Sequence, residues 1–154
     1  MRLLRLLTTL CAALVTGLSF SHVLELPQKM AYDSHQYVDS QHSLYAYFAI
    51  IGGPLEVLTI VLAIVVAVRS RGTAAFGLSL ASAILFAIGL AEWGAVVQTA
   101  NTVQAQWDPS AMPSDWTTTR EQWEFGHVGH FVIFFVGFVM QLVVWSRTAP
   151  RSTT

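Results

Sequence analysis

Residues 125–146 read FGHVGHFVIFFVGFVMQLVVWS, a run without Asp, Glu, Lys or Arg. A helix that spans a bilayer needs about 20 consecutive, mostly apolar residues, so this run predicts one membrane-spanning helix. The composition agrees, because 54% of the 154 residues are hydrophobic and only 11% are charged. In a soluble domain roughly a quarter of the residues are charged, so lipid is the expected main solvent.

Three earlier runs have the same character. Residues 6–24 carry no such charge, residues 40–68 carry only Glu56, and residues 72–105 carry only Glu92. The turn at 69–73 is too short for anything but a hairpin, while residues 27–41 and 98–121 form longer polar connections. We therefore predict one all-α integral membrane domain over residues 1–154. It is an up-down-up-down four-helix transmembrane bundle with spans at about 5–26, 42–68, 74–98 and 123–146.

The basic residues predict the orientation of these spans. Lys29 and Arg120 lie on one side of a four-span chain, and the other six of the eight basic residues lie on the opposite side. The side rich in Lys and Arg faces the cytoplasm, so we expect both termini to be cytoplasmic in the cell membrane. The alternative is a cleaved signal peptide at residues 1–20, which would leave three spans. The six residues are Arg2, Arg5, Arg69, Arg71, Arg147 and Arg151.

Ionisable side chains inside the spans are the functional candidates, because burying them in a bilayer is costly. When positions are counted from the inner basic residues, six of them fall within about 9 Å of one level. Glu56 falls about two turns deeper. We expect a cavity that opens to the outer face, with Glu56 beneath it. The six at one level are His22, Glu25, Glu92, Glu124, His127 and His130.

Three interpretations of this cluster stay open. The groups can hold the helices together by hydrogen bonds. They can bind a transition metal, because four-helix di-metal proteins combine single Glu residues with Glu-x-x-His pairs. They can also line a metal-free pocket in which His and Glu act as acid and base on an organic ligand. The metal ligands would be His22, Glu25, Glu92, Glu124 and His127.

For the pocket interpretation, the catalytic candidates are His127, Glu92, Glu124 and His22. The ligand-pocket candidates are Glu25, Glu56, Asn101, Arg120, Trp123 and His130. Two further contacts are predicted at the outer end. Lys29 follows Glu25 by four positions and is expected to pair with it, and Trp116, Arg120 and Trp123 are expected to cover the cluster.

Three segments resemble a known family. The segments are SHVLELPQK at 21–29, Asn101 after the third span, and DWTTTREQWEFGHVGH at 115–130. They are similar to small bacterial four-helix membrane proteins of unknown function that are grouped with the fungal anthrone oxygenases. The resemblance implies that Asn101, Trp123 and His127 occupy the family's polar positions, and that His130 stands where the family often has arginine. It also implies an oxidation of a phenolic polycyclic substrate by dioxygen that needs no bound metal.

The functional hypothesis is a membrane protein whose His/Glu pocket binds or acts on a small hydrophobic or phenolic molecule. Its alternatives are a structural or accessory protein whose polar cluster only packs helices, and a metal-binding membrane oxidoreductase. The bilayer is the one certain partner. No cluster of basic residues indicates nucleic acid, and no cofactor is required unless the transition-metal interpretation holds.

Overall fold

The protein is described from a computed structural model, in which residues 1–148 are placed; the predicted cytoplasmic Arg151 lies outside them. All regular structure in this part of the chain is helical. A π-helical segment, Trp93–Val97, joins α4 to α5 without a break. The helices are α1 (Arg2–Met30), α2 (Ser34–Leu44), α3 (Ala46–Arg69), α4 (Phe76–Glu92), α5 (Gln98–Gln104) and α6 (Trp116–Thr148).

Four stretches of helix are long and apolar enough to cross a membrane, which confirms the predicted number of spans. The third combines α4, the π segment and α5. Each of the first, third and fourth is longer than its predicted span, and α1 continues through Pro27 to Met30. The stretches are Arg2–Met30, Tyr47–Arg69, Phe76–Gln104 and Trp116–Arg147.

Helix α2 lies where the sequence predicts a plain polar connection. Its first turn is capped by Asp33, whose side chain accepts a hydrogen bond from the backbone N–H of Gln36 at 2.8 Å. Only two of its residues, Tyr37 and Val38, are buried, and they pack against Trp107 from the link between α5 and α6. We call α2 together with residues 105–115 the cap. It covers the end of the bundle opposite the turn at 69–73.

The four long helices form a ring in which α1 and α4 each pack against both α3 and α6. The approach of α4 to α6 is close because glycines on one helix face phenylalanines on the other. A Cβ on Gly137 would lie 2.7 Å from Cε1 of Phe86, and one on Gly89 would lie 2.6 Å from Cδ2 of Phe134. Both rings are fully buried, together with Ala12, Val15, Ala63 and Ala83. This apolar core fills the bundle below the ionisable residues.

Candidate functional site

A cavity of about 680 Å³ occupies the bundle between the apolar core and the cap. Its volume lies within the usual range for sites that take small molecules. Helices α1, α3, α5 and α6 and the π segment all contribute to its wall, and α2 contributes at the outer end. The polar and aromatic lining residues include Ser19, His22, Gln41, His42, Tyr45, Phe48, Glu56, Trp93, Gln98, Asn101, Thr102, Gln104, Trp123, His127 and His130.

At the inner end, His130 uses both of its ring nitrogens. Its Nε2 lies 2.6 Å from Oε1 of Glu56, and its Nδ1 lies 2.9 Å from the hydroxyl of Ser19. Glu56 thus lies at the inner end of the cavity, as expected, and contacts His130, the more inward of the two histidines of α6. Ser19 escaped the sequence analysis, although it precedes His22 by one turn.

The contacts of His130 join three helices at the inner end of the cavity. Ser19 lies on α1, Glu56 on α3 and His130 on α6. The Ser19 hydroxyl also donates to the carbonyl oxygen of Val15 at 3.0 Å.

His22 and His127 also line the cavity, but their rings contact each other. Their rings are stacked with centroids 4.0 Å apart, and the residues are only 5% and 7% exposed. The Nδ1 atom of each is buried and makes no hydrogen bond within residues 1–148, and that of His22 lies 3.8 Å from Oε2 of Glu25. Two positive charges at this separation repel strongly in a medium of low dielectric constant, so at most one ring is protonated. Buried polar atoms without partners are rare and call for an explanation.

Above these rings, Lys29 forms a buried ion pair with Glu124, not with Glu25 as predicted. Its Nζ lies 2.8 Å from Oε1 of Glu124 and stands over the rings of Trp123 and Tyr45, at 3.9 and 4.4 Å from their centroids. Because α1 remains helical past Pro27, Lys29 lies on the side of α1 that faces α6. Glu25 instead accepts a hydrogen bond from the hydroxyl of Tyr45.

Two tyrosine hydroxyls outside the spans complete this outer layer. The hydroxyl of Tyr37 donates to Oε1 of Glu124 at 3.1 Å, and that of Tyr45 donates to Glu25. Burial, reinforced by the negative charge of Glu124, raises the pKa of Tyr37. Burial and the bond to Glu25 raise the pKa of Tyr45. Both hydroxyls therefore stay protonated and remain hydrogen-bond donors.

Several predicted site residues lie outside the cavity wall. Arg120 donates from Nη1 to the carbonyl oxygens of Met30 and Tyr32, at 3.2 and 3.4 Å, so it ties the end of α1 to α6. The guanidinium of Arg120 also lies 4.7 Å from the ring of Trp116. The carboxyl group of Glu92 packs against Gly129 of α6. The structure thus brings His22, His127, His130, Glu56, Asn101 and Trp123 to the cavity, and separates Glu25, Glu92, Glu124 and Arg120 from it.

The predicted metal ligands are divided in the same way. Within the described residues, no group of three or more His, Cys, Asp or Glu side chains is arranged to hold a metal ion. The carboxyl groups of Glu25 and Glu124 are engaged by Tyr45 and Lys29. The five predicted metal ligands therefore do not meet at one point in the described structure.

The outer wall of the cavity is built from neutral amides, of which the sequence predicted only Asn101. Gln41 donates from Nε2 to Oε1 of Gln104 at 2.7 Å, and the Trp123 indole donates to Oδ1 of Asn101 at 2.6 Å. The spacing of three between Gln98, Asn101 and Gln104 was the available signal, because residues three apart share a helix face. No comparable spacing in the sequence predicted that α2 would line the outer end of the cavity.

The ion pair at the outer end can be tested by unfolding. Lys29→Met leaves the buried carboxylate of Glu124 without a counter-charge, and should lower the free energy of unfolding by about 3–5 kcal/mol. Replacing both partners, as Lys29→Met with Glu124→Leu, should restore most of that loss. Reversible unfolding in mixed micelles, followed by circular dichroism, measures both. The control is Asp39→Asn in the exposed His35–Asp39 pair, for which a change below about 1 kcal/mol is expected. Equal effects of Lys29→Met and Asp39→Asn would contradict the assignment.

Comparison of the chain with protein-family models, with curated proteins and with solved structures found no match. What the cavity does is therefore inferred from its own residues.

Proposed function

We propose that the protein crosses the cell membrane as an up-down-up-down four-helix bundle, with both termini in the cytoplasm and the cap on the outer face. The support comes from the placement of charge. Arg69 and Arg71 lie at the exposed turn opposite the cap, whereas the two basic residues at the cap end, Lys29 and Arg120, are buried against partners. Exposed basic residues belong on the cytoplasmic side.

Labelling of single cysteines tests this orientation. Cys11 is the only cysteine, so Cys11→Ser provides the background, into which Ser110→Cys or Ala74→Cys is introduced. Both positions are exposed, one in the cap and one next to the turn. A membrane-impermeant maleimide should label Ser110→Cys in intact cells and Ala74→Cys only after permeabilisation. The reverse pattern, or labelling of both sites in intact cells, would contradict the proposed orientation.

We further propose that the cavity binds a small, largely apolar molecule and places its polar group against His22 and His127. The observation that carries this proposal is that both imidazoles are nearly buried on the cavity wall and that neither ring makes a hydrogen bond in the described structure. His130 differs, because its Nδ1 lies 2.9 Å from the Ser19 hydroxyl and its Nε2 lies 2.6 Å from the carboxyl group of Glu56, whereas the acidic oxygen beside Nδ1 of His22 is 3.8 Å away. The imidazoles of His22 and His127 are therefore suited to contact a ligand.

The volume of the cavity also supports a binding role. Protein interiors are packed at close to crystal density, and every unfilled space loses the dispersion contacts that its lining would otherwise make. A bundle whose polar groups served only to pack helices would gain by filling a space of about 680 Å³. Gly52 and Gly53 of α3 line the space instead, and a Cβ on Gly53 would meet no atom within 4 Å.

Analysis of bound molecules tests the binding proposal. The protein is purified in nanodiscs together with its native lipids, extracted with organic solvent, and the extract is examined by mass spectrometry. A compound other than bulk lipid should accompany the wild type, and should be depleted at least about tenfold in His127→Phe and in Gly52→Leu, which places a side chain in the cavity. His35→Ala is the matched control, because His35 is exposed in α2. Identical extracts from all four proteins would contradict the proposal.

An oxidoreductase is the second candidate, favoured by one specific contact chain. Asn101, Trp123 and His127, the residues that the family resemblance singles out, lie side by side on the cavity wall. The Trp123 indole is 2.6 Å from Asn101, and its ring is 4.2 Å from that of His127. A neutral imidazole can accept a proton from an enolisable methylene group beside a phenol. The carbanion then adds dioxygen, and the protonated hydroperoxide loses water to give a ketone.

Oxygen uptake tests this candidate with anthrone as the probe. One dioxygen should be consumed for each anthrone converted to anthraquinone and water. His127→Phe should lower the initial rate by roughly a hundredfold or more, because a general base typically contributes that much. His35→Ala should match the wild type. If uptake does not exceed the rate in protein-free vesicles, anthrone oxidation is rejected, and the binding proposal is judged on the extraction experiment.

A further inference from the structure

The wall of the cavity carries almost no net charge. Among the described residues that line it, none is Lys or Arg, and the only acidic residue is Glu56, whose charge is matched by His130. The outer wall is built from the amides of Gln41, Gln98, Asn101 and Gln104, which donate and accept hydrogen bonds without carrying charge. The charges just beyond the wall are engaged, Lys29 by Glu124 and Glu25 by the Tyr45 hydroxyl. A charged ligand group would therefore find no unengaged counter-charge here, and burying such a group is costly.

The second observation is that the cap covers the end of the cavity that faces water. Gln41 of α2 is held to Gln104 of α5 at 2.7 Å, and Nε2 of His42 lies 3.2 Å from the carbonyl oxygen of Gln104. Beside this junction, Tyr37, Lys29 and Glu124 form a buried polar layer. His42, Ala105 and Gln106 line this end and are exposed, so the hydrogen bonds across the junction limit the width of the outer entrance.

The third observation is an opening in the side of the bundle. Helix α3 packs against α4, yet in the described structure it makes no comparable contact with α5. The lining residues on the two facing edges are exposed, namely Ala49 of α3 and Gln98 and Thr102 of α5. Apolar side chains beside them are also exposed, at 65% for Ile50 and 47% for Val103. Such side chains are solvated by lipid in a spanning segment.

Taken together, these observations lead us to propose that the ligand is an uncharged amphiphile dissolved in the bilayer, and that it enters through the gap between α3 and α5. Its apolar body lies among Phe48, Tyr45 and Trp123. A hydroxyl or carbonyl group reaches His22 and His127, and further polar atoms meet the amide wall. This inference rests on the proposed function of the cavity as a binding site, and adds the class of ligand and its route.

The class of ligand is tested with three brominated probes that share one chain. Bromoundecanol, bromoundecanoate and bromoundecyl-trimethylammonium are compared in vesicles at equal mole fraction in the membrane. Bromine quenches indole fluorescence on contact, and Trp93 and Trp123 line the cavity. Bromoundecanol should give saturable quenching that falls in Trp93→Phe and is largely lost when Trp123→Phe is added to it. The two ionic probes should bind at least about tenfold more weakly, which corresponds to about 1.4 kcal/mol.

The route is tested by narrowing the gap. Ala49→Phe should slow both the association and the release of bromoundecanol by at least about tenfold in stopped-flow quenching, and change the equilibrium affinity much less. A narrower entrance slows association and release together, whereas the loss of a contact with the bound ligand raises only the release rate. Ala91→Phe is the matched control, because Ala91 is an exposed alanine of α4 that does not line the cavity. Unchanged rates in Ala49→Phe, or the same slowing in Ala91→Phe, would overturn the proposed route.

The outcomes separate this inference from the proposed function. If the ionic probes bind as tightly as the alcohol and all three depend on His127, the cavity is a site but the uncharged class is wrong. If no probe quenches saturably in the wild type, or if His22→Phe and His127→Phe leave bromoundecanol binding unchanged, the binding site itself is rejected. Saturable, histidine-dependent quenching by the alcohol alone supports both.

Discussion

A charge drawn into a helical bundle that lipid surrounds must be matched inside the bundle, since the hydrocarbon offers it no partner. The structure meets this constraint by pairing across helices. Lys29 of α1 meets Glu124 of α6, Glu56 of α3 meets His130 of α6, and Arg120 of α6 meets the last carbonyl groups of α1. Every pair uses α6. Together they fix the rotation of this helix relative to α1 and α3, and so decide which of its residues face the cavity.

Two imidazoles near these pairs are not engaged in the same way. His22 and His127 lie close to both Lys29 and His130, with the rings of Trp123 and Tyr45 beside them. Their rings stack on each other and make no hydrogen bond in the described structure. The costlier charges are therefore paired, while the hydrogen-bonding capacity of two imidazoles on the cavity wall is not used by the described residues. This difference is the basis of the proposed binding site.

The sequence predicted the spans well and the contacts of the site only in part. Hydropathy decides whether 20 residues enter a bilayer whatever their neighbours are, so all four spans were predictable. Depth could be counted from the basic ends, which is why His22 and His127 were placed together. Which neighbour each side chain contacts could not be predicted, because α6 packs against both α1 and α4. Glu124 of α6 pairs with Lys29 of α1, whereas Glu92 of α4 packs against Gly129 of α6.

The π segment shows how a neighbouring helix can determine which residues of a helix face the cavity. One residue added to a helical turn rotates everything that follows by about 100°, and π segments often occur at functional sites. Here the wider turn is accommodated by Gly126 of α6, where a Cβ would lie 2.9 Å from Cγ2 of Val97 and 3.0 Å from Cγ1 of Val96. Glu92 precedes the segment and keeps the register of α4. The amides of α5 follow it and therefore turn toward the cavity. A glycine on one helix thus permits the neutral wall on another, and the proposed preference of the cavity for uncharged groups depends on both.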